Sequence, residues 1–426
     1  MAEVVIHAPR QYVERGWPAS SASIEVEGRN VEVFYRASQG PLADGAEPFV
    51  PAGLFAAMRL GVPLRIETPV SPLLLEQVQE FQAIVSSWFD GLQQIAIDAP
   101  QRHQVSLPPQ RGAGCFFTGG IDSFYSALKH QSEITHLIFV HGFDIRLHET
   151  DSRASASRLL RHAASELGKP LIEVETNARD LLDTYADWML HTHGAALGGV
   201  ALLLTPLLQR AYIGATDPYG ALSMLGSHPL LDHLWGTEDV QVVHDGLERD
   251  RWHKLEHIHS NPTVLRHLRV CWLHPDGAVN CCRCSKCLRT MSLLQALGVL
   301  DQCPTFPLAL SLDDLRALRL PNASLVYATR ILADMIEEIG TAPDVAQALR
   351  QAISQSPVPV AEAGAMLPPA PTPDVAHLEA QMRAERARSA QLEAQIQRLM
   401  SSRSWKLTEP LRRAARVTHR QNRGIS

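Results

Sequence analysis

Two short stretches of this 426-residue sequence combine residue types that could bind a phosphate group and a metal ion. In the first, an apolar run ending at Phe117 leads through two glycines to Asp122 and Ser123, where a helix is predicted to begin. A strand that turns through glycines into a helix N-terminus directs backbone N–H groups and the positive end of the helix dipole at one point. Glycine lets the backbone approach an anion, Ser123 adds a donor, and Asp122 could position a magnesium ion. The pattern predicts a phosphate-binding loop.

The loop also carries a family resemblance. Its six residues, Thr118-Gly119-Gly120-Ile121-Asp122-Ser123, resemble the S-G-G-x-D-S loop of the PP-loop ATP pyrophosphatases, a superfamily related to the adenine nucleotide alpha hydrolases. Thr118 replaces the first serine of that motif and keeps its hydroxyl group. The resemblance implies that all six residues bind ATP, that Mg²⁺ bridges the phosphates, and that ATP is cleaved between its α and β phosphates. The alternative interpretation is a structural Gly-Gly turn.

The second stretch contains five of the seven cysteines, among which four have the spacing of a metal site. Without Cys282 the pattern is C-x9-C-x2-C-x2-C, formed by Cys271, Cys281, Cys284 and Cys287. Four thiolates at this spacing can surround Zn²⁺, and such a closed site favours zinc over an iron–sulfur cluster. The pattern resembles the C-x8-C-x2-C-x2-C zinc site of the 7-cyano-7-deazaguanine synthases, the superfamily members nearest to this chain in layout. Cys282 could replace Cys281 as a ligand.

Other candidate site residues follow predicted strands. His141 and Asp144 come after a predicted strand over 134–140, at the end where ligands bind in open α/β sheets. The resemblance implies that they contact the adenosine, and a loop cap is the alternative. Asp217 follows a predicted strand over 212–215, at a position that usually faces the substrate in the superfamily; it could equally be an ordinary turn residue.

Lys254 completes the predicted catalytic residues, which are Asp122, Lys254 and Asp217. It lies in a predicted helix over 247–258. A lysine near the α-phosphate would stabilise the negative charge that develops there during transfer of the adenylyl group.

The predicted elements that position these residues form an α/β fold. Alternating strands and helices from residue 111 predict a doubly wound parallel sheet, and the resemblance to the PP-loop (HUP-like) fold covers residues 111–300. Residues 1–105 are predicted to be a separate N-terminal α+β domain, with a hairpin around Gly28 and an amphipathic helix over 71–90 capped by Ser71. Residues 301–355 are predicted to add a helical extension.

The C-terminal part of the sequence differs in composition. Residues 356–376 form a proline-rich linker, and 377–402 predict either a short coiled coil, which could make a homo-oligomer, or a single solvated helix. Residues 403–426 are basic, and the segment 404–412 resembles a tail found after coiled coils in bacterial surface-polysaccharide enzymes. Such a tail could contact an anionic membrane surface or a glycan-assembly partner. A disordered solubilising tail is the alternative.

Composition narrows the functional classes. The formal net charge of −6 gives no reason to expect nucleic acid as a partner, and no apolar run reaches membrane-spanning length. The N-terminal residues lack the pattern of a signal peptide. We therefore expect a cytoplasmic protein, peripheral at the inner membrane if the basic tail binds there.

The functional expectation is an ATP-dependent ligase that forms C–N bonds. The resemblance implies that a carboxylate or amide oxygen of a small-molecule or sugar substrate is adenylated with release of pyrophosphate, after which a nitrogen nucleophile displaces AMP. The alternative is a non-catalytic nucleotide-binding scaffold in a surface-polysaccharide biosynthesis assembly. With four cysteines engaged by a metal, the cluster would hold no thiol for sulfur transfer.

Overall fold

The computed structural model describes residues 2–103, 110–271 and 279–357, and within these residues eleven strands form one mixed sheet. The strands are β1 (Val4–Ile6), β2 (Arg10–Glu14), β3 (Trp17–Val26), β4 (Arg29–Ala37), β5 (Leu64–Ile66), β6 (Ile97–Asp98), β7 (Gly112–Phe116), β8 (His136–His141), β9 (Leu171–Thr176), β10 (Leu208–Gly214) and β11 (Gln241–Asp245). The predicted coiled coil and basic tail, and the linker beyond residue 357, lie outside the described residues.

Twelve α-helices accompany the sheet in the described part of the chain. They are α1 (Val50–Leu60), α2 (Pro72–Trp88), α3 (Ile121–Lys129), α4 (Thr150–Glu166), α5 (Ala178–Tyr185), α6 (His193–Leu203), α7 (Arg251–Ile258), α8 (Pro262–His267), α9 (Ser285–Ala296), α10 (Leu312–Arg316), α11 (Ala323–Ile339) and α12 (Pro343–Ser354). The predicted cap of α2 is present, since the Ser71 hydroxyl accepts a hydrogen bond from the Leu74 N–H at 3.0 Å.

Five neighbouring strands, in the order β9-β8-β7-β10-β11, are all parallel. β7 is the first of the five along the chain; β8 and β9 add on one side of it, and β10 and β11 add on the other. The direction of winding therefore reverses between β7 and β10. In open α/β sheets, the crevice at the carboxyl ends of the strands beside such a reversal is the usual ligand site.

Helices cover both faces of these parallel strands. Successive side chains of a strand point to opposite faces, so Phe116 and Ile138 join one apolar cluster while Cys115 and Leu137 join another. Helices α1, α2, α5 and α6 pack in the first cluster, and α3, α4, α7, α8, α9 and α10–α12 pack in the second. The α/β class predicted from the sequence is confirmed.

The N-terminal strands correct two expectations. β4 pairs antiparallel with β9, with Tyr35 opposite Thr176, and β3, β1, β5 and β6 continue the sheet from there. The sheet is therefore mixed rather than wholly parallel, and residues 1–105 share it instead of forming a separate domain. One apolar cluster also spans both regions, because it joins Phe55 and Phe81 to Val200 and Trp235. The hairpin predicted around Gly28 is present as β3 and β4.

A buried acid on β9 gives the fold a testable dependence on pH. The Glu173 carboxylate accepts hydrogen bonds from Ser157 Oγ at 2.5 Å and from Arg161 Nε at 2.5 Å, and it lies 3.1 Å from His141 Nε2. Burial raises the pKa of this carboxyl, but the contacts with His141, Ser157 and Arg161 outweigh burial and lower the pKa from 4.5 to about 2. The charged carboxylate is thus favoured in the folded state.

We expect the free energy of unfolding of Glu173→Gln to fall less than that of the wild type when the pH is lowered. A pKa that is lower in the folded than in the unfolded state stabilises the fold above about pH 4.5, and this stabilisation is lost as the pH falls from about 4.5 toward 2. Denaturant unfolding of wild type and variant at about pH 6 and about pH 3 measures the difference. The exposed Glu80→Gln serves as the control. If Glu173→Gln lost as much stability as the wild type between these two pH values, the assignment of the pH dependence to Glu173 would be wrong.

Candidate functional site

A cavity of about 290 Å³ opens at the carboxyl ends of β7, β8 and β10. The predicted phosphate loop contributes part of its wall through Thr118, Gly120, Ile121, Asp122 and Ser123. Asp144 and Asp217, which follow β8 and β10, also line the cavity. His141 and Lys254 are not among the described residues that line it. The imidazole of His141 is buried against Glu173 and Ser157 instead.

The loop has the local structure predicted from the sequence. β7 ends at Phe116 and α3 begins at Ile121, with Gly120 as the residue that caps the helix. Gly119 has a φ of +74°, in the left-handed region that favours glycine, and a Cβ there would lie 2.9 Å from Leu160 Cδ2. The Ser123 hydroxyl donates to the Gly120 carbonyl oxygen at 3.0 Å. The turn therefore brings the start of α3 to the cavity wall.

Asp122 binds two cations. Its Oδ2 accepts from Arg251 Nη2 at 2.6 Å, and its Oδ1 lies 3.4 Å from Lys254 Nζ. Lys254 is fully buried, and its ammonium also donates to the Ala215 carbonyl oxygen at 2.6 Å. Burial lowers the pKa of Lys254, while the charge of Asp122 acts in the opposite direction. Lys254 thus joins the loop to the residue after β10, and Arg251 binds the other carboxylate oxygen of Asp122.

Four basic side chains line the cavity together with the loop: Arg251, Arg269, Lys286 and Arg289. None of these was a candidate from the sequence. The Arg269 N–H donates to the Gly119 carbonyl oxygen at 2.8 Å, and its guanidinium donates to the Thr118 carbonyl oxygen at 3.3 Å. Arg289 lies over the Trp252 ring, 5.5 Å from its centroid. The one available sequence signal was the i, i+3 spacing of Lys286 and Arg289, which lie on either side of the last cysteine of the pattern.

Burial disfavours the charged form of these basic side chains and so lowers the pKa of three of them. Burial and then repulsion from Arg251 lower the pKa of Lys286 to about 7 and that of Arg289 to about 10, and burial lowers the pKa of Arg269. Arg251 differs because Asp122 outweighs the effect of burial, so its pKa is raised. Crowded, desolvated cations are stabilised by a bound anion. The wall beside the loop is therefore suited to an anionic ligand.

The remaining lining consists of apolar side chains and of polar side chains that include three histidines. Large apolar side chains come from Phe143, Trp188, Leu197, Leu222 and Leu225. The polar part includes His193, His228 and His244, and burial lowers the pKa of the first two. His244 Nδ1 lies 2.7 Å from Oδ2 of the buried Asp232. This part of the cavity can receive an uncharged or aromatic group with hydrogen-bonding edges.

The predicted cysteine ligands converge. The Sγ atoms of Cys271, Cys281, Cys284 and Cys287 all lie within 4.8 Å of one another, which fits a metal ion such as zinc. Backbone N–H groups support two of the thiolates, since Cys284 N–H donates to Cys281 Sγ at 3.2 Å and Cys287 N–H donates to Cys284 Sγ at 3.5 Å. Cys282 lies outside the cluster because its φ of +57° turns its side chain toward the Asn280 carbonyl oxygen.

Comparison with known proteins gives no relative: no protein-family model, curated protein or solved structure matches this chain. Among the described residues, no helix is long and apolar enough to cross a membrane. The site itself is therefore the basis for assigning a function.

Proposed function

We propose that the protein binds ATP in this cavity and cleaves it to AMP and pyrophosphate, as a PP-loop ATP pyrophosphatase. The observation that supports this most strongly is the glycine turn at the end of β7, which faces the same cavity as Arg251, Arg269, Lys286 and Arg289. A triphosphate needs several donors and cations within a few ångströms. The reversal of winding between β7 and β10 also supports it, because ligands bind beside such a reversal in open α/β sheets.

The proposed roles of the acids differ from those expected from the sequence. Asp122 is engaged by Arg251 and Lys254, so we assign it the positioning of these cations. Asp144 and Asp217 line the cavity and would hold Mg²⁺. When bound, Mg²⁺ would neutralise charge on the phosphates.

The reaction that fits this arrangement is adenylation of an acceptor. A carboxylate or amide oxygen of the acceptor attacks the α-phosphorus, and the bond between that phosphorus and the bridging oxygen breaks. Pyrophosphate leaves with its charge stabilised by the four cations. A nitrogen nucleophile then attacks the carbon that carries the adenylated oxygen, the bond between that carbon and that oxygen breaks, AMP leaves, and the nitrogen releases a proton to solvent. The part of the cavity around Trp188 and His244 would receive the small-molecule or sugar acceptor.

Product analysis tests the proposal. ATP labelled at the α or the γ position is incubated with the protein, Mg²⁺, ammonium and pooled small-molecule carboxylates. We expect labelled AMP and pyrophosphate, and we expect Arg251→Met to abolish their formation, whereas Arg210→Met, outside the cavity lining, serves as the control. Formation of ADP and phosphate would contradict the assignment. Tight ATP binding without products from any acceptor would instead support the scaffold function.

A further inference from the structure

Three of the four cavity cations are close in sequence to the cysteine cluster. Arg269 and Arg289 each lie two residues outside the first and last cysteines of the cluster, and Lys286 lies between the last two. Their side chains line the cavity beside the phosphate loop, and Cys271 lines it as well. The metal site and the anion-binding wall are therefore built from the same two chain segments.

We propose that the metal held by the four cysteines positions Arg269, Lys286 and Arg289 as phosphate-binding residues, so that metal occupancy and nucleotide binding are thermodynamically coupled. This inference rests on the proposed function and adds to it that the metal positions three of the four cations. It also gives the cluster a role in ligand affinity beyond holding the fold together.

The first segment connects the cluster directly to the loop. Arg269 is joined to the loop by its N–H, which binds the Gly119 carbonyl oxygen, and by its guanidinium, which binds the Thr118 carbonyl oxygen. Two residues later the chain reaches Cys271, whose Sγ lies 3.9 Å from that of Cys284. A displacement of Cys271 would therefore be transmitted to both Arg269 and the phosphate loop.

The second segment sets the start of α9. Cys284 caps this helix, because its Sγ accepts the hydrogen bond from the Cys287 N–H. Lys286 and Arg289 are both on the first turns that follow, and the Arg289 Nε donates to the Ser285 carbonyl oxygen at 3.2 Å. A metal bound to Cys284 and Cys287 fixes this helical start and with it the direction of both basic side chains.

A contact independent of the metal limits the size of the coupling. The buried Asn280 accepts hydrogen bonds from the Val270 and Cys271 N–H groups at 2.9 and 3.1 Å, and its amide donates to the Leu268 carbonyl oxygen at 2.9 Å. These bonds keep the two segments together when the metal is removed. We therefore expect weakened binding rather than loss of the fold.

The test compares the affinity for Mg²⁺-ATP of zinc-loaded and zinc-stripped protein by isothermal titration calorimetry, without acceptor. Binding is expected to be at least about tenfold weaker after the metal is removed, within the usual range of coupling between two sites. Coupling is reciprocal, so saturating Mg²⁺-ATP should raise the zinc affinity by the same factor. Competition with a chromophoric zinc chelator measures this second factor and does not depend on enzyme activity.

A matched pair of variants keeps the test decisive if the stripped protein unfolds. Lys286→Met retains all four cysteines, so it should keep the metal and still bind Mg²⁺-ATP about tenfold more weakly, because one charged hydrogen bond to phosphate is lost. Lys169→Met removes the same charge outside the cavity lining and should bind like wild type. An unchanged affinity in Lys286→Met would overturn the inference.

The outcomes separate this inference from the proposed function. Equal affinities of folded loaded and stripped protein would overturn the coupling and leave ATP binding in place. No binding of Mg²⁺-ATP by the zinc-loaded protein would overturn the proposed function and the coupling together. Weaker binding after stripping, with the reciprocal gain in zinc affinity, supports both.

Discussion

Gly120→Ala is expected to weaken Mg²⁺-ATP binding by about 100-fold without a measurable loss of stability. Gly120 has a φ of −80°, which alanine adopts freely, and a Cβ there would lie 3.3 Å from Thr118 Oγ1, so a small shift accommodates it. The added methyl group would occupy the wall that phosphate must approach to reach the N–H groups of the helix start. Losing two charged hydrogen bonds of about 1.5 kcal/mol each corresponds to a loss of affinity of about 100-fold.

Two other glycines make the result specific. Gly220→Ala adds a methyl group in open space outside the cavity lining, so ATP affinity and melting temperature should both stay unchanged. Gly119→Ala should instead lower the melting temperature, because its positive φ and the nearby Leu160 both resist a side chain. Calorimetric titration and thermal unfolding of the three variants provide the measurements. Binding of wild-type strength by Gly120→Ala would refute the phosphate-loop assignment.

Cys287→Ser is expected to lose the metal and to lower the free energy of unfolding by at least about 3 kcal/mol. The Cys287 side chain is fully buried within the cluster. A serine hydroxyl is a poor zinc ligand, and structural zinc sites contribute directly to folding free energy. Elemental analysis should find about one zinc per wild-type chain and almost none in the variant, and denaturant unfolding should give the change in stability.

Cysteines outside the cluster provide the matched controls. Cys303 is also buried, but its Sγ donates only weakly to the Val299 carbonyl oxygen at 3.5 Å, and serine can make the same bond. Cys303→Ser should therefore keep the metal. Cys282→Ser should keep it as well, since Cys282 lies outside the four converging thiols. If Cys282→Ser lost the metal while Cys281→Ser kept it, the ligand set would be wrong.

The local features of the site could be predicted from the sequence because they depend on neighbouring residues. The strand, glycine turn and helix over residues 112–129 follow from an apolar run, two glycines and a helix start. Ser71 was recognised as the cap of α2 for the same reason. The cysteine spacing also predicted a four-thiol cluster, although it left the choice between Cys281 and Cys282 open.

The roles of the charged residues were decided by tertiary contacts. Asp122 was expected to hold a metal and Lys254 to contact the α-phosphate, yet the two bind each other across 132 positions in the sequence. Arg269 reaches the carbonyl of Thr118 across 151 positions. A pattern read over a few helical turns or one strand carries no information about such pairs. The basic wall of the cavity was missed for this reason.

In the N-terminal region, too, the sequence predicted local structure but not the contacts between distant segments. The alternation of apolar and polar residues predicted β3 and β4 as a hairpin, and the hairpin is present. The pairing of β4 with β9 depends instead on contacts between residues that are far apart in the sequence, such as Tyr35 and Thr176. Strand sequences specify which side chains are buried, but backbone hydrogen bonds at a sheet edge are nearly independent of side-chain identity. The sequence by itself thus determined the hairpin of β3 and β4 and the glycine turn before α3, and only the tertiary structure decided that one sheet contains them both.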